Sequence, residues 1–282
     1  MARVRVSNLS SSIHRARNTS LWRRPALWLA LSCLDAPLVA IAWQALLARS
    51  FGIALVFNER VALFLTAWFI YLVDRVADSF TVPPTAPLSL RQQFYRKYRV
   101  AMIALAVTLA LADTITALTL RGSTTFQRGG IIAGAIVLYL AINHFAPRLW
   151  RWLPLKELAI GFLFALGTAS ALSFRQPAVY FFGALCAVNC LTISALEMEL
   201  DDAQGRQTFF TAWPRTIRLP LVLSWIITFA AVVNIPSGGD VAWCIALSAI
   251  FLGWLNRVPL DGDASVAFCD LALLTPIPFL LW

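Results

Sequence analysis

Long apolar segments alternate with short polar ones along the whole chain after residue 24. The apolar segments are about the length that crosses a hydrocarbon layer of roughly 30 Å as an α-helix. The nine segments predicted as transmembrane helices are residues 25–48, 57–77, 99–119, 129–145, 156–174, 178–197, 216–235, 241–256 and 265–282. The pattern therefore predicts an all-α polytopic membrane protein with about nine transmembrane helices.

Composition supports this class. Hydrophobic residues make up 60% of the chain, charged residues only 13%, and the mean hydropathy is +0.73. Soluble domains are roughly 25% charged, so one soluble core of this size does not account for the apolar surface.

The net charge of +9 is compatible with nucleic-acid binding, but the placement of the charges favours a lipid bilayer as the partner instead. Most of the 23 Lys and Arg residues fall in the segments that lie inside when the N-terminus is cytoplasmic. By the positive-inside rule, we expect a cytoplasmic N-terminus and an outside C-terminus. Residues 1–24 form a basic tail, typical of contact with anionic lipid, and 25–282 form a single transmembrane domain. A bacterial inner membrane is favoured over an organellar one.

Two acidic clusters interrupt the apolar pattern, each where a predicted helix reaches water. Asp74 and Asp78 end predicted helix 2, and Glu197 and Asp201 end predicted helix 6. Because each pair is spaced by four residues, its carboxylates lie on one helical face and are placed to share a divalent cation such as Mg²⁺. The matching positions predict two four-helix halves, helices 1–4 and 5–8, with helix 9 closing the bundle. Both clusters fall on the cytoplasmic side, so a diphosphate between them would be clamped from both halves.

Other polar and aromatic residues on this side complete a predicted substrate site. Cations suited to phosphate oxygens are Arg75, Arg91, Arg151 and Lys156. Aromatic faces within two turns of Asp74, suited to stabilising an allylic carbocation, are Trp68 and Tyr71. Asn189 precedes Glu197 by two turns and is a candidate for the pocket wall. Three aspartates, Asp35, Asp113 and Asp270, fall within apolar segments, where such residues usually face the bundle interior. For Asp35 and Asp270, local hydrogen bonding near the helix ends is an equally good account.

At these residues the chain resembles a known family. The run D-R-x-x-D at Asp74, Arg75 and Asp78 resembles the first aspartate-rich motif of the UbiA-type intramembrane prenyltransferases. The run from Glu197 through Asp201 to Gly205 resembles the second, D-x-x-x-D-x-x-x-G. The resemblance spans about residues 23 to 216, and a nine-helix bundle is also typical of the family.

The resemblance implies transfer of a polyprenyl group from its diphosphate to a lipophilic acceptor, with Mg²⁺ held by both motifs. It places the first metal on Asp74 and Asp78 and the second on Glu197 and Asp201, with Arg75 and Arg151 facing phosphate. The sequence departs from the family at Ile70, where Asn is usual, and lacks the R-P-L-x-x-G run after the first motif. Three alternatives stay open: a terpene cyclase, a non-catalytic prenyl-lipid-binding protein, and a membrane transporter.

Overall fold

The structure is a computed structural model that describes residues 25–83, 85–146, 153–172, 174, 176–258 and 262–281. The predicted tail, residues 1–24, lies outside the described residues. Within the described ranges the chain is helical and contains no strand. The all-helical prediction is confirmed for this part of the chain.

The described residues form fourteen α-helices and two short 3₁₀ turns, Pro214–Thr216 and Ala272–Leu274. The α-helices are α1 (Pro25–Leu31), α2 (Asp35–Ser50), α3 (Phe57–Thr81), α4 (Leu90–Lys97), α5 (Arg99–Thr119), α6 (Thr124–Phe145), α7 (Leu155–Thr168), α8 (Pro177–Leu196), α9 (Met198–Ala203), α10 (Phe209–Ala212), α11 (Leu219–Val233), α12 (Ile235–Leu255), α13 (Gly262–Leu271) and α14 (Pro276–Leu280).

Six stretches of the described chain are helical, long and apolar enough to cross a membrane, which identifies an integral membrane protein. They are Arg99–Thr119, Thr124–Asn143, Pro177–Leu196, Pro214–Val233, Ile235–Leu255 and Asp263–Leu280. The other three predicted segments are also helical but differ in form. The first is broken into α1 and α2, α3 carries several charged residues, and α7 has only 14 residues. The count of nine spans and the division into two halves stay predictions.

The break between α1 and α2 corrects the single helix predicted over 25–48. Cys33 adopts a positive φ of 54°, which ends α1, and the Ser32 hydroxyl donates to the Trp28 carbonyl. The Tyr95 hydroxyl, from α4, donates to the Leu31 carbonyl at 2.9 Å. A distant side chain therefore satisfies a backbone group that the broken helix leaves open.

Helix α8 lies at the centre of the bundle and packs against α7, α11, α12 and α13. Its Phe182 ring stacks on Trp43 of α2, with ring centroids 4.2 Å apart, inside the largest cluster of buried apolar side chains. In contrast, α5 exposes large apolar side chains such as Val107, Leu111 and Ile115. In a membrane protein such a face contacts lipid.

Helix α13 contacts α1, α2 and α8, and so connects the N-terminal and central parts of the bundle. The Trp43 indole donates to the Leu273 carbonyl, just after α13, at 2.8 Å. Leu90, the first residue of α4, donates its backbone N–H to Asp263 of α13 at 3.2 Å. These contacts fix the position of α4, and with it Arg91, at one end of the bundle.

Candidate functional site

The first acidic cluster lies in the last two turns of α3, which runs four residues past its predicted end at residue 77. Asp74 and Asp78 are spaced by one helical turn and share a face. Asp74 Oδ2 is 3.9 Å from Arg75 Nη1, and the Asp74 and Asp78 side chains are 41% and 33% exposed. Both carboxylates are thus accessible to a solute at this end of the bundle.

The second acidic cluster lies where α8 gives way to α9. Glu197 stands at the junction and Asp201 is in α9. Gly205 ends α9 with a φ of 69°, in the left-handed region that favours glycine. The N–H of Arg206 donates to the Asp201 carbonyl at 2.8 Å, so the chain reverses tightly after the acids.

This reversal brings the two acidic clusters together. Arg206 Nη2 lies 3.3 Å from Asp78 Oδ1 and 3.2 Å from the Thr81 hydroxyl. Arg91 Nη2 lies 2.9 Å from Glu197 Oε1. Arg75 interacts electrostatically with Asp74, Asp78 and Glu197. Arginines thus lie between the two carboxylate pairs.

The pKa of Asp201 is affected by charged residues of both acidic clusters. Burial raises the pKa of Asp201 to about 7, and the negative charges of Glu197 and Asp78 add to this effect. Arg206 and Lys156 act in the opposite direction. A cation placed beside Asp201 would favour its ionised form.

Helix α4 is positioned by its own cap and by glutamines. Ser89 accepts from the Gln92 N–H, and the Gln92 side chain reaches back to the Ser89 N–H, forming a capping box. Gln204 donates to Gln92 at 2.8 Å and to the Pro87 carbonyl at 2.9 Å. These hydrogen bonds tie the loop before α4 to the end of α9.

Two recesses adjoin these residues. The outer recess has a volume of about 350 Å³, including space open to solvent, and is lined by Leu27, Ala30, Leu31, Leu90, Arg91, Glu197, Asp263, Val266 and Ala267. The inner recess, measured in the same way, has about 290 Å³ and is lined by Ala36, Val39, Tyr71, Ile160, Gly161, Phe164, Cys186, Asn189, Cys190, Asp270 and Leu273. The predicted site residues Tyr71 and Asn189 are therefore part of the inner recess.

Other predicted residues have different positions. Trp68 lines neither recess, and its indole donates to the Ser32 carbonyl at 2.8 Å, which ties α3 to the α1–α2 break. Lys156 is in the first turn of α7, and its positive charge interacts electrostatically with Asp201. Arg151 lies outside the described residues. Asp113 accepts from the Thr66 hydroxyl at 2.8 Å, between α5 and α3 and away from both recesses.

Sequence reasoning missed two residues here. Arg206 forms an ion pair with Asp78. Its position directly after Gly205, at the end of the second acidic motif, could have identified it as a candidate site residue. Glu157, in the first turn of α7, is 5% exposed, and its Oε2 has no hydrogen-bond partner among the described residues. Glu157 could have been identified from the sequence because it is an acidic residue at the start of an apolar segment, next to the candidate site residue Lys156.

The described residues contain no group of three or more His, Cys, Asp or Glu side chains arranged to hold a metal ion by themselves. Mg²⁺ in proteins is usually held by one or two carboxylates together with phosphate oxygens and water, not by a complete cage of side chains. The paired carboxylates, with the crowding of negative charge around Asp201, fit that mode of binding.

No protein-family model matches the chain, and neither the curated proteins nor the solved structures give a significant match.

Proposed function

We propose that this chain is an integral membrane enzyme that transfers a polyprenyl group from its diphosphate to a lipophilic acceptor. The observation that carries the proposal is the convergence of two acidic segments with several cations at one end of an apolar bundle. The Arg206–Asp78 and Arg91–Glu197 contacts support it most directly. A polar site at the end of apolar helices suits a substrate with a charged head and a long hydrocarbon tail.

Each group in the site has a role in this reaction. Arg75, Arg91, Arg206 and Lys156 would bind and orient the diphosphate oxygens, Arg through bidentate contacts and Lys as a point charge. Mg²⁺, held by Asp74 and Asp78 and by Glu197 and Asp201, would supply neutralisation of the departing diphosphate. Tyr71, in the inner recess, would present an aromatic face to the allylic group.

The proposal includes an orientation in the membrane. The distribution of basic residues supports a cytoplasmic N-terminus, an outside C-terminus and a polar site that opens to the cytoplasm. A bacterial inner membrane is the setting that we propose.

The test is diphosphate release by the purified protein from geranyl, farnesyl and geranylgeranyl diphosphates, with Mg²⁺ and with EDTA. Lipid products are extracted and identified by mass spectrometry in the presence of candidate acceptors. We expect release that requires Mg²⁺ and a product with the combined mass of the prenyl group and the acceptor.

Each other outcome would replace the proposal with one alternative. A cyclic hydrocarbon or alcohol formed from the donor alone would identify a terpene cyclase. Donor binding without release would identify a prenyl-lipid-binding protein. Neither binding nor release would favour a transporter that uses the acids as a cation path.

A further inference from the structure

Helices α11 and α12 pack against each other and present apolar side chains to the outside of the bundle. On each helix these side chains are spaced by three or four residues, so they follow one helical face. The exposed side chains that define this α11–α12 face are Val222, Trp225 and Phe229 on α11 and Leu247, Ile250 and Trp254 on α12. In a membrane protein such a face contacts the acyl chains of lipids.

The two helices approach each other closely at Gly253 of α12. A Cβ added at Gly253 would lie 3.5 Å from the Ser224 Cβ and 3.8 Å from the indole nitrogen of Trp225. The Trp225 ring therefore lies against α12 at the point where the helices meet. Residues of both helices can contact one lipid molecule here.

Three arginines lie at one end of the α11–α12 face. Arg215 and Arg218 precede α11, Arg257 follows α12, and all three are exposed. None of them forms an ion pair with a carboxylate within the described part of the chain. From residue 207 to residue 258 the only acidic residue is Asp240, which lies near the opposite end of α12. This concentration of positive charge is complementary to an anionic partner.

Arg257 and Trp225 form the part of this surface where the charge meets the apolar face. The guanidinium carbon of Arg257 lies over the Trp225 ring, 5.8 Å from its centroid. A guanidinium that stacks on a ring keeps its N–H donors in its own plane, where they remain available to phosphate oxygens. The exposed Trp225 indole adds an N–H donor beside them.

The arginines lie at the same end of the bundle as the acidic clusters. The Asn256 side chain donates to the Thr192 hydroxyl at 3.3 Å, and Thr192 lies on α8 shortly before Glu197. The orientation proposed above places this end in the cytoplasmic leaflet. Basic surfaces between transmembrane helices on that side of a membrane bind the headgroup of cardiolipin, a lipid with two phosphates.

The spacing of the donors distinguishes between lipids with one and with two phosphates. Arg218 precedes Trp225 by seven residues, which is two helical turns or about 10 Å along the axis, so both lie on the same side of α11. A single phosphate bound between Arg257 and Trp225 leaves Arg218 without a phosphate contact. A lipid with two linked phosphates can contact both places.

We infer that the α11–α12 face and its arginines bind one anionic phospholipid of the cardiolipin class. One phosphate contacts Arg257 and Trp225, the second contacts Arg218, and the acyl chains lie along the α11–α12 face. The site is separate from the two recesses, whose lining residues come from other elements. The inference goes beyond the proposed function and does not rest on it.

The test is native mass spectrometry of the purified protein in detergent, with tetraoleoyl cardiolipin, dioleoyl phosphatidylglycerol or dioleoyl phosphatidylcholine added. We expect one bound cardiolipin per chain, with an affinity at least about tenfold higher than that of phosphatidylglycerol, because the second phosphate adds charge-assisted hydrogen bonds. Phosphatidylcholine, which has no net charge, is expected to bind more weakly than both.

Variants of exposed residues locate the site without removing buried contacts. Arg218→Gln and Arg257→Gln are each expected to weaken cardiolipin binding about tenfold. Arg96→Gln, which removes an exposed cation of α4, is the control and is expected to leave cardiolipin binding unchanged. Trp225→Phe removes the indole N–H and is expected to weaken binding severalfold. Trp243→Phe is its control, because Trp243 is similarly exposed and lies near the opposite end of α12.

Three outcomes would overturn the inference. The first is equal affinity for cardiolipin and phosphatidylglycerol, or cardiolipin binding that Arg218→Gln and Arg257→Gln reduce no more than Arg96→Gln does. The second is displacement of cardiolipin by an equal concentration of farnesyl diphosphate, which would assign the arginines to a prenyl substrate. The third is a lipid-free dimer that Trp225→Phe dissociates, which would assign the face to a second copy of the chain.

Discussion

Arg206 Nη2 lies 3.3 Å from Asp78 Oδ1, although the two residues are 128 positions apart in the chain. The contact joins the end of α3 to the turn that follows α9. It brings the two acidic segments close together, and we propose that a diphosphate binds there. The chemistry that we propose depends on this convergence.

Replacing Asp78 by Asn tests whether the convergence serves diphosphate chemistry. The substitution removes one negative charge while keeping the side-chain shape. We expect Mg²⁺-dependent diphosphate release to fall by about 10²- to 10³-fold, the usual effect of deleting one group that stabilises developing charge. Asp202→Asn is the matched control, because Asp202 is exposed and adjoins Asp201. Equal rates for the two variants would remove Asp78 from the site.

The raised pKa of Asp201 predicts a pH dependence of stability. Between the ordinary value of 3.8 and about 7, the folded protein holds a proton on Asp201 that the unfolded chain has released. The folded state binds more protons over this window, so the free energy of unfolding decreases as the pH rises from about 4 to 7. We expect Asp201→Asn to remove this part of the decrease, on the order of 1 kcal/mol for a partly solvated group.

The measurement is thermal unfolding in EDTA at pH 5 and pH 8 for both proteins. The prediction is met when the unchanged protein loses more stability between the two pH values than the variant does. Parallel behaviour of the two proteins would mean that Asp201 titrates normally.

The ion pair between Arg91 and Glu197 predicts an effect on donor binding. Arg91→Gln removes a cation that faces the outer recess and leaves Glu197 without this partner. Since a hydrogen bond to a charged group contributes about 1.5–3 kcal/mol, we expect KM for the prenyl diphosphate to rise about tenfold or more. Arg96→Gln, on the exposed side of the same helix, is the control. An unchanged KM for Arg91→Gln would exclude Arg91 from phosphate binding.

The hydrogen bond from the Tyr95 hydroxyl to the Leu31 carbonyl is predicted to stabilise the fold at the break between α1 and α2. Tyr95→Phe leaves the Leu31 carbonyl without its hydroxyl donor in a buried position, which costs about 1–3 kcal/mol. Tyr98→Phe is the matched control, because Tyr98 lies on the same short segment and is 43% exposed. Thermal unfolding of the two variants makes the comparison. Similar unfolding temperatures would mean that the hydroxyl does not support the break.

Some elements were predictable because their determinants are local. The predicted helix 99–119 has the bounds of α5, and the predicted helix 178–197 differs from α8 by one residue at each end. Continuous apolar runs between polar residues set those limits. The four-residue spacing of Asp74 and Asp78 likewise placed them on one face without any knowledge of the tertiary structure.

Other features depend on contacts between distant residues and could not be predicted in this way. The apolar run over 25–48 shows no break, since the partner of Leu31 is Tyr95, 64 positions away. Asn189 was a candidate for the pocket wall, but its partner Asp270 comes from α13, 81 positions further on. Asp35 and Asp270 are both buried, and each also accepts a hydrogen bond, Asp35 from the Ala36 N–H and Asp270 from Asn189.

The contact between α7 and α8 at Gly161 gives the last prediction. A Cβ added at Gly161 would clash with the backbone nitrogen of Ala187, so Gly161→Ala forces the two helices apart. We expect a loss of about 1–3 kcal/mol, typical of overpacking, and a change in the inner recess that Gly161 lines. Gly167→Ala on the same helix meets nothing within 4 Å and is expected to be neutral or to stabilise by up to about 1 kcal/mol, because Ala favours a helix over Gly. Thermal unfolding in nanodiscs separates the two variants, and a Gly161→Ala protein as stable as Gly167→Ala would mean that α7 and α8 do not approach this closely.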